Sequence, residues 1–173
     1  ELKLVKQIVV ASATVDGGCG MAAALGFRLL TASAQSLPEG GGALFDLARI
    51  EAGAADQRLK GTRFSCLIDV QNPLLGASGA ARVFAPQKGA TPAEVERLEA
   101  NLAHWATIVR RDLGLDITAR PGGGAAGGLG AGCVAFLGAT LENGAAWVGR
   151  QNRLEEAMMQ ADLVITGEGR LDE

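Results

Sequence analysis

Apolar and polar positions along this chain change period several times, and each change predicts an element. Lys6–Ser12, "KQIVVAS", is β-branched and apolar and predicts a buried strand. "ATVDGGCGMAAALG" runs from a loop into a small-residue helix ending near Gly26. "FRLLTASAQSLPEGGG" reads as strand, turn and glycine loop, "GALFDLARI" as a short helix, and "RFSCLIDV" as a strand with Asp69 at its C-terminal end. "NPLLGASGA" reads as a loop, and "ARVFA" as a short strand leading into "PQKGATP". The strongest signal follows. Thr91-Pro92-Ala93-Glu94 predicts a capping box with proline at the first helical position. Val95, Leu98, Leu102, Trp105 and Val109 then recur at helical spacing, with Arg110 and Arg111 in the last turn and Gly114 as the C-terminal cap. "AAGGLGAGCVAFLGATL" predicts a second, buried helix, "AAWVGRQNRLEEAMMQ" a third, and "ADLVITGEGRLDE" a buried strand entering a charged glycine loop.

Strands and helices mixed throughout favour an α/β fold, a parallel or mixed sheet flanked by helices. With no repeat period and no linker, residues 1–173 read as a single domain.

Composition narrows the function classes. Of 173 residues, 48% are hydrophobic and 20% charged, which argues against disorder. A formal net charge of -3 and 4% aromatics, with no tyrosine, argue against nucleic acid as a partner. No apolar run is long enough to span a bilayer, and no signal-peptide pattern opens the chain, so no membrane partner is expected. Cys19, Cys66 and Cys133 form no paired motif and read as reduced thiols of a cytoplasmic protein. Oligomerisation is left open.

Twenty-five glycines cluster at 17–20, 40–42, 122–132 and 167–169, where backbone can approach a ligand or other backbone. Gly122, Gly124 and Gly127 match G-x-G-x-x-G. However, only the weak "DITAR" precedes them, and Glu142, near the distance of a ribose-binding acid, falls in an apparent helix-to-helix turn. That makes nicotinamide binding a poor reading. Two uses of the run stay open: amides holding an anion, or close packing through small residues. A P-loop is excluded because no Gly-Lys dipeptide occurs. The lone His104, beside Trp105, reads as a surface or boundary residue.

The carboxylates carry more. Asp16 follows a strand and precedes a glycine pair, Asp69 ends a strand before Asn72-Pro73, and Glu168 sits between glycines with Arg170 and Asp172 beyond. Strand-end carboxylates with Lys88 and Arg170 suit phosphoryl transfer: Mg²⁺ takes oxygen ligands, cations neutralise the moving group, and a carboxylate accepts the hydroxyl proton. Each taken singly also fits a turn or cap.

Taken together, "SATVDGGCGMAAALGFRLL", "LPEGGGAL", "DVQNPLLG", "VFAPQKGATPAEVERLEANLAHWA", "GGGAAGGLGAG" and "ADLVITGEGRLDE" resemble the bacterial-type (class I) glycerate kinase family across essentially the whole chain. The resemblance implies a two-domain α/β kinase with its site between the domains. It implies ATP and Mg²⁺ as cofactors and D-glycerate as the small-molecule substrate, giving 2-phosphoglycerate, with 3-phosphoglycerate the other outcome. Family chains add an N-terminal loop bearing Ser and Lys and a C-terminal His-Gly-Lys segment. The expectation is therefore a central portion, mostly one of the two domains, that does not turn over alone. Carried over, Ser12, Thr14, Asp16 and Gly17 lie near substrate or phosphate, and Asp69 and Asn72 serve substrate or metal. Gln87 and Lys88 meet the phosphoryl group or the glycerate carboxylate, Gly127 belongs to the phosphate-side loop, and Glu168, Arg170 and Asp172 lie at the domain cleft. Asp16, Asp69, Lys88 and Glu168 are the catalytic candidates, Asp69 and Glu168 the metal candidates, and the base stays open among the three carboxylates. Val15 stands where the family has Asn, Gln71 where it has Asp, and Ala85 where it has Gly. Those departures keep a second reading, a non-catalytic family domain that binds a small anion or a partner.

Overall fold

Strand β4 (Arg63–Ile68) is the centre of the molecule, because every residue from Phe64 to Ile68 is buried. A strand covered on both faces reads as a continuous apolar run, and such strands sit inside parallel sheets. The computed structural model describes residues 5–9, 12–165 and 167. In it β4 pairs in parallel with β1 (Val5–Val9) on one side and with β5 (Thr140–Asn143) on the other. A separate antiparallel pair, β2 (Arg28–Leu30) and β3 (Arg49–Glu51), completes an α/β architecture.

Helix α3 (Pro92–Leu113) follows its sequence signals closely. The Thr91 side chain accepts from the Glu94 amide, and the Glu94 carboxylate accepts from the Thr91 amide at 2.8 Å. These bonds hold the Glu94 carboxyl below its usual range. Gly114 closes the helix in the left-handed conformation. The apolar stripe of α3 is buried at Val95, Leu102, Trp105 and Val109, chiefly against the 3₁₀ segment Gly41–Asp46 and β3, while the short helix α1 (Cys19–Ala24) lies on β2. Trp105 is fully buried and lies 6.3 Å from Phe136, which meets Phe27 edge-on at 5.1 Å. Asn101, 2% exposed, donates to the Gly41 and Gly42 carbonyls, so its burial leaves no donor stranded there.

Helix α4 (Ala125–Leu137) is the buried helix expected from the glycine run, and it packs on β4. Its first turn departs from helical geometry, with Ala126, Gly127 and Gly128 all in the left-handed region.

Four expectations fail. "ARVFA" is a helix, α2 (Ala80–Phe84), and not a strand. Ala80 and Ala81 are buried small residues that let α2 lie close to α3 and α4. "GALFDLARI" is a 3₁₀ segment followed by β3, whose pairing with β2 outweighs the weak local preference. Glu142 belongs to strand β5 and not to a helix-to-helix turn; only the parallel partner β4 makes so short a segment a strand. The third helix is two, α5 (Gly144–Gln151) and α6 (Leu154–Gln160), broken where Arg153 takes φ +51°.

The final apolar run also departs from expectation. Leu163, Val164 and Ile165 lie outside any strand and are exposed, because no neighbouring strand among the described residues takes them into a ladder.

Candidate functional site

Loops at the C-terminal ends of parallel strands leave room for ligands, since the strands end together while the helices continue elsewhere. Here the ends of β1 and β4 are followed by residues 12–18 and 69–72, and two further segments close on them. One is the 3₁₀ turn Pro86–Lys88, and the other is the left-handed start of α4. Ser12, Asp69, Val70, Phe84, Gln87, Lys88 and Ala126 line a cavity of about 250 Å³ at this junction. Residues up to 114 positions apart (126 − 12 = 114) meet in it.

Each of these side chains is held differently. The Ser12 hydroxyl accepts from the Thr14 amide at 2.9 Å and lies 3.0 Å from the Thr14 carbonyl and hydroxyl, a local turn that fixes the strand exit. Lys88 Nζ donates to the Thr14 carbonyl at 2.6 Å, joining the 3₁₀ turn to that exit. Partial burial pulls the Lys88 ammonium below its ordinary lysine value, and the charge of Asp16 works against that pull. Asp69 is exposed, directly follows β4, and makes no ion pair or side-chain hydrogen bond among the described residues. Gln87 lines the same cavity from the 3₁₀ turn.

Other residues marked by sequence support the cavity from behind. Asp16 directs both carboxylate oxygens at backbone, accepting from the Gly18 amide at 3.0 Å and the Gly20 amide at 3.2 Å, and it also accepts from the Thr14 hydroxyl. It thus caps the entry to α1, whose first amides would otherwise lack acceptors. Asn72 donates to the Ser78 carbonyl at 2.8 Å, and its own carbonyl accepts from the Gly124 amide at 2.8 Å. Gly17 and Gly127 are buried and joined by a backbone hydrogen bond of 3.2 Å. Glu168, Arg170 and Asp172 lie outside the described residues.

The glycine run therefore has a defined use. At Gly127, with φ +69°, an added Cβ would lie 2.0 Å from the Thr14 carbonyl oxygen. At Gly132 it would lie 2.2 Å from the Gly17 carbonyl oxygen. Helix α4 is glycine-rich where its backbone touches the loop after β1. Of the two uses the sequence left open, close packing is the one these contacts display. The dinucleotide reading weakens further, because residues 115–124 contain no strand and the Glu142 carboxylate is taken by Arg150 at 2.9 Å.

Three cavity residues were not among the sequence candidates: Val70, Phe84 and Ala126. Ala126 had a faint signal, as the residue inside the glycine run that must adopt a left-handed backbone (φ +51°) without being glycine. Val15, in place of an amide side chain, is buried at 6% exposure among core residues. Gln71 is exposed, and its carbonyl accepts from the Gly122 amide at 3.1 Å. His104 Nε2 lies 2.7 Å from the Leu47 carbonyl, tying α3 to the 3₁₀ segment, and does not line the cavity. The three cysteines are free and buried; burial pushes the Cys19 thiol up, the hydrogen bond between Cys66 and Cys133 raises Cys133 and lowers Cys66, and none of the three lines the cavity.

At the strand ends of this α/β sheet, where such folds bind their ligands, the cavity brings together one carboxylate without an internal partner among the described residues and one partly desolvated lysine. The glycerate kinase family model matches residues 4–173, and the chain belongs to that family. It is 46% identical to a glycerate kinase of Halalkalibacterium halodurans over 172 residues, covering 98% of this chain and 45% of that protein. It is 47% identical to the glycerate 2-kinase of Escherichia coli over 161 residues, covering 93% of this chain and 42% of that protein. The crystal structure of a glycerate kinase 2 from Salmonella typhimurium LT2 superposes with a TM-score of 0.84 at 47% identity, covering 96% of this chain and 45% of that one. The chain thus spans less than half the length of these relatives. No helix among the described residues is long and apolar enough to cross a membrane.

Proposed function

We propose that the protein carrying this sequence transfers the γ-phosphoryl group of ATP to D-glycerate, giving 2-phosphoglycerate, with Mg²⁺ as cofactor. The observation that carries the reading is the meeting of Ser12, Asp69, Gln87 and Lys88 in one cavity, in a chain that belongs to the glycerate kinase family. Asp69 is the base: among the described residues it is the one carboxylate lining this cavity, and no internal partner there competes for its oxygens. It accepts the proton of the attacking hydroxyl. Lys88 holds the phosphoryl oxygens, and its anchoring to Thr14 sets where its charge sits. Gln87 and Ser12 orient the acceptor through hydrogen bonds. Asp16 acts through the loop it caps and not on the substrate.

The residues present fit the cofactors in a limited way. Among the described residues no three His, Cys, Asp or Glu side chains gather to hold a metal. Mg²⁺ retains waters and shares substrate phosphates, so one or two carboxylates suffice, and Asp69 is one of the right kind. Bound ATP with Mg²⁺ would supply the phosphoryl group and offset its negative charge. Glu168, Arg170 and Asp172 complete this proposal as cleft residues. Because the chain covers less than half of its relatives, residues 1–173 alone are expected to bind but not turn over. ADP release coupled to NADH oxidation, with D-glycerate as the varied substrate, tests the reading on the natural full-length protein. Release that does not depend on D-glycerate would refute it.

A further inference from the structure

A second cavity adjoins the first and shares Lys88 as its wall. It measures about 290 Å³ and is lined by Lys88 and Arg97 together with Val15, Gly42, Glu94 and Leu98, among others. Its charges set it apart. Eight arginines of the described residues form ion pairs: Arg28, Arg49, Arg58, Arg82, Arg110, Arg111, Arg150 and Arg153. Arg63, Arg97 and Arg120 form none among the described residues, and of these three Arg97 is the one that lines this cavity, on α3 between Glu96, which pairs with Arg82, and Glu99, which accepts from the Gly76 amide. Glu94, the acid of this cavity, has one oxygen bound by the Thr91 amide and hydroxyl. The cavity therefore holds two cations without an ion pair against one carboxylate, Glu94, which is bound at the helix cap through one oxygen and also feels the charge of Arg97.

The two cavities differ in what they accept. Lys88 lines both; the first adds Asp69, which repels an anion and suits a hydroxyl, and the second adds Arg97, which with Lys88 outweighs the cap-bound Glu94 and suits an anion. A small hydroxy acid has both ends. We infer that the second cavity is the subsite for the carboxylate of the acceptor substrate, with Arg97 as the residue that selects an acid over an uncharged polyol. This rests on the kinase reading above and adds its orientation: hydroxyl end toward Asp69, carboxylate end past Lys88 toward Arg97. Leu98 and the buried Val15 give that cavity an apolar wall, which strengthens a charge contact by keeping water from part of it. Arginine, with its planar fork, is the suitable group for a carboxylate.

The test uses the natural full-length protein, D-glycerate, and glyceramide, the uncharged amide of the same molecule. Affinities come from calorimetric titration of wild type, Arg97→Gln and Arg97→Lys. Hydrogen bonds to a charged group predict that Arg97→Gln weakens D-glycerate about 10-fold or more and leaves glyceramide within about 2-fold. Arg97→Lys should recover part of the loss, because charge returns without the fork. Arg97 is exposed, so circular dichroism and the melting temperature should not move, which separates a lost contact from a lost fold. Equal weakening of both compounds, or D-glycerate affinity unchanged in Arg97→Gln, overturns the subsite. In that case, glycerate-dependent ADP release by the wild type would leave the kinase reading standing. Wild-type protein that neither binds D-glycerate nor releases ADP with it overturns both.

Discussion

Asp69 and Lys88 face one cavity under opposite conditions. Asp69 is exposed and free of internal partners among the described residues, so little of the fold depends on its charge. Asp69→Asn should therefore leave the melting temperature nearly unchanged. If it is the base, kcat should fall about 10²- to 10⁴-fold. Unchanged kcat would remove Asp69 from that role. Lys88 is partly buried, and its ammonium loses its proton below the ordinary lysine value of 10.5. In the window between that lowered value and 10.5 the unfolded chain binds more protons than the folded one, so stability rises with pH there. Activity that needs the positive charge should fall across the same window. A pH–rate profile of wild type against Lys88→Met checks this: the variant should be slower throughout and lack the alkaline limb. A limb retained in the variant would assign it to another group.

The same uneven legibility extends to whole elements. Helix α3 could be read to its caps because all its signals are local: Thr91, Pro92, Glu94 and Gly114 act within one turn of where they stand. Strands β3 and β5 were missed because three- and four-residue strands have no local preference of their own and exist through their partners. Helix α2 was misread for the related reason that "ARVFA" is apolar without period, and buried neighbours decided its form. The site divides similarly. Asp69 was visible as a carboxylate at a strand end, and Lys88 by its motif, whereas Phe84 and Val70 have no chemical mark and enter the cavity only by folding. The glycine run was visible as an anomaly, yet its purpose became plain only when Thr14 and Gly17 were seen against it. That purpose is testable at one position. Gly127→Ala places a Cβ 2.0 Å from the Thr14 carbonyl in a left-handed backbone, so one of the two loops must shift. Stability should drop by about 1–3 kcal/mol or more in denaturant titration. Because Thr14 also anchors Lys88, kcat should fall with it. A variant as stable as wild type would show that α4 does not press on that loop.

At the scale of the molecule, two features stand apart from the packed core. The three-stranded sheet carries its cavity at the ends of β1 and β4, with the charged side chains drawn from loops. Beyond β5, helices α5 and α6 have no buried residue, and Met159, Leu163 and Ile165 are 81%, 75% and 87% exposed. Relatives roughly twice as long as this chain match it over 45% of their length. Because the chain matches less than half of these relatives, binding and turnover are assigned differently to the 173 residues and to the natural protein. The most direct measurement is a coupled ADP-release assay of the natural full-length protein with ATP, Mg²⁺ and D-glycerate, run beside residues 1–173 alone. The account predicts ADP release that saturates with D-glycerate in the full-length protein and none above background in the shorter chain. No D-glycerate-dependent ADP release from the full-length protein would contradict it.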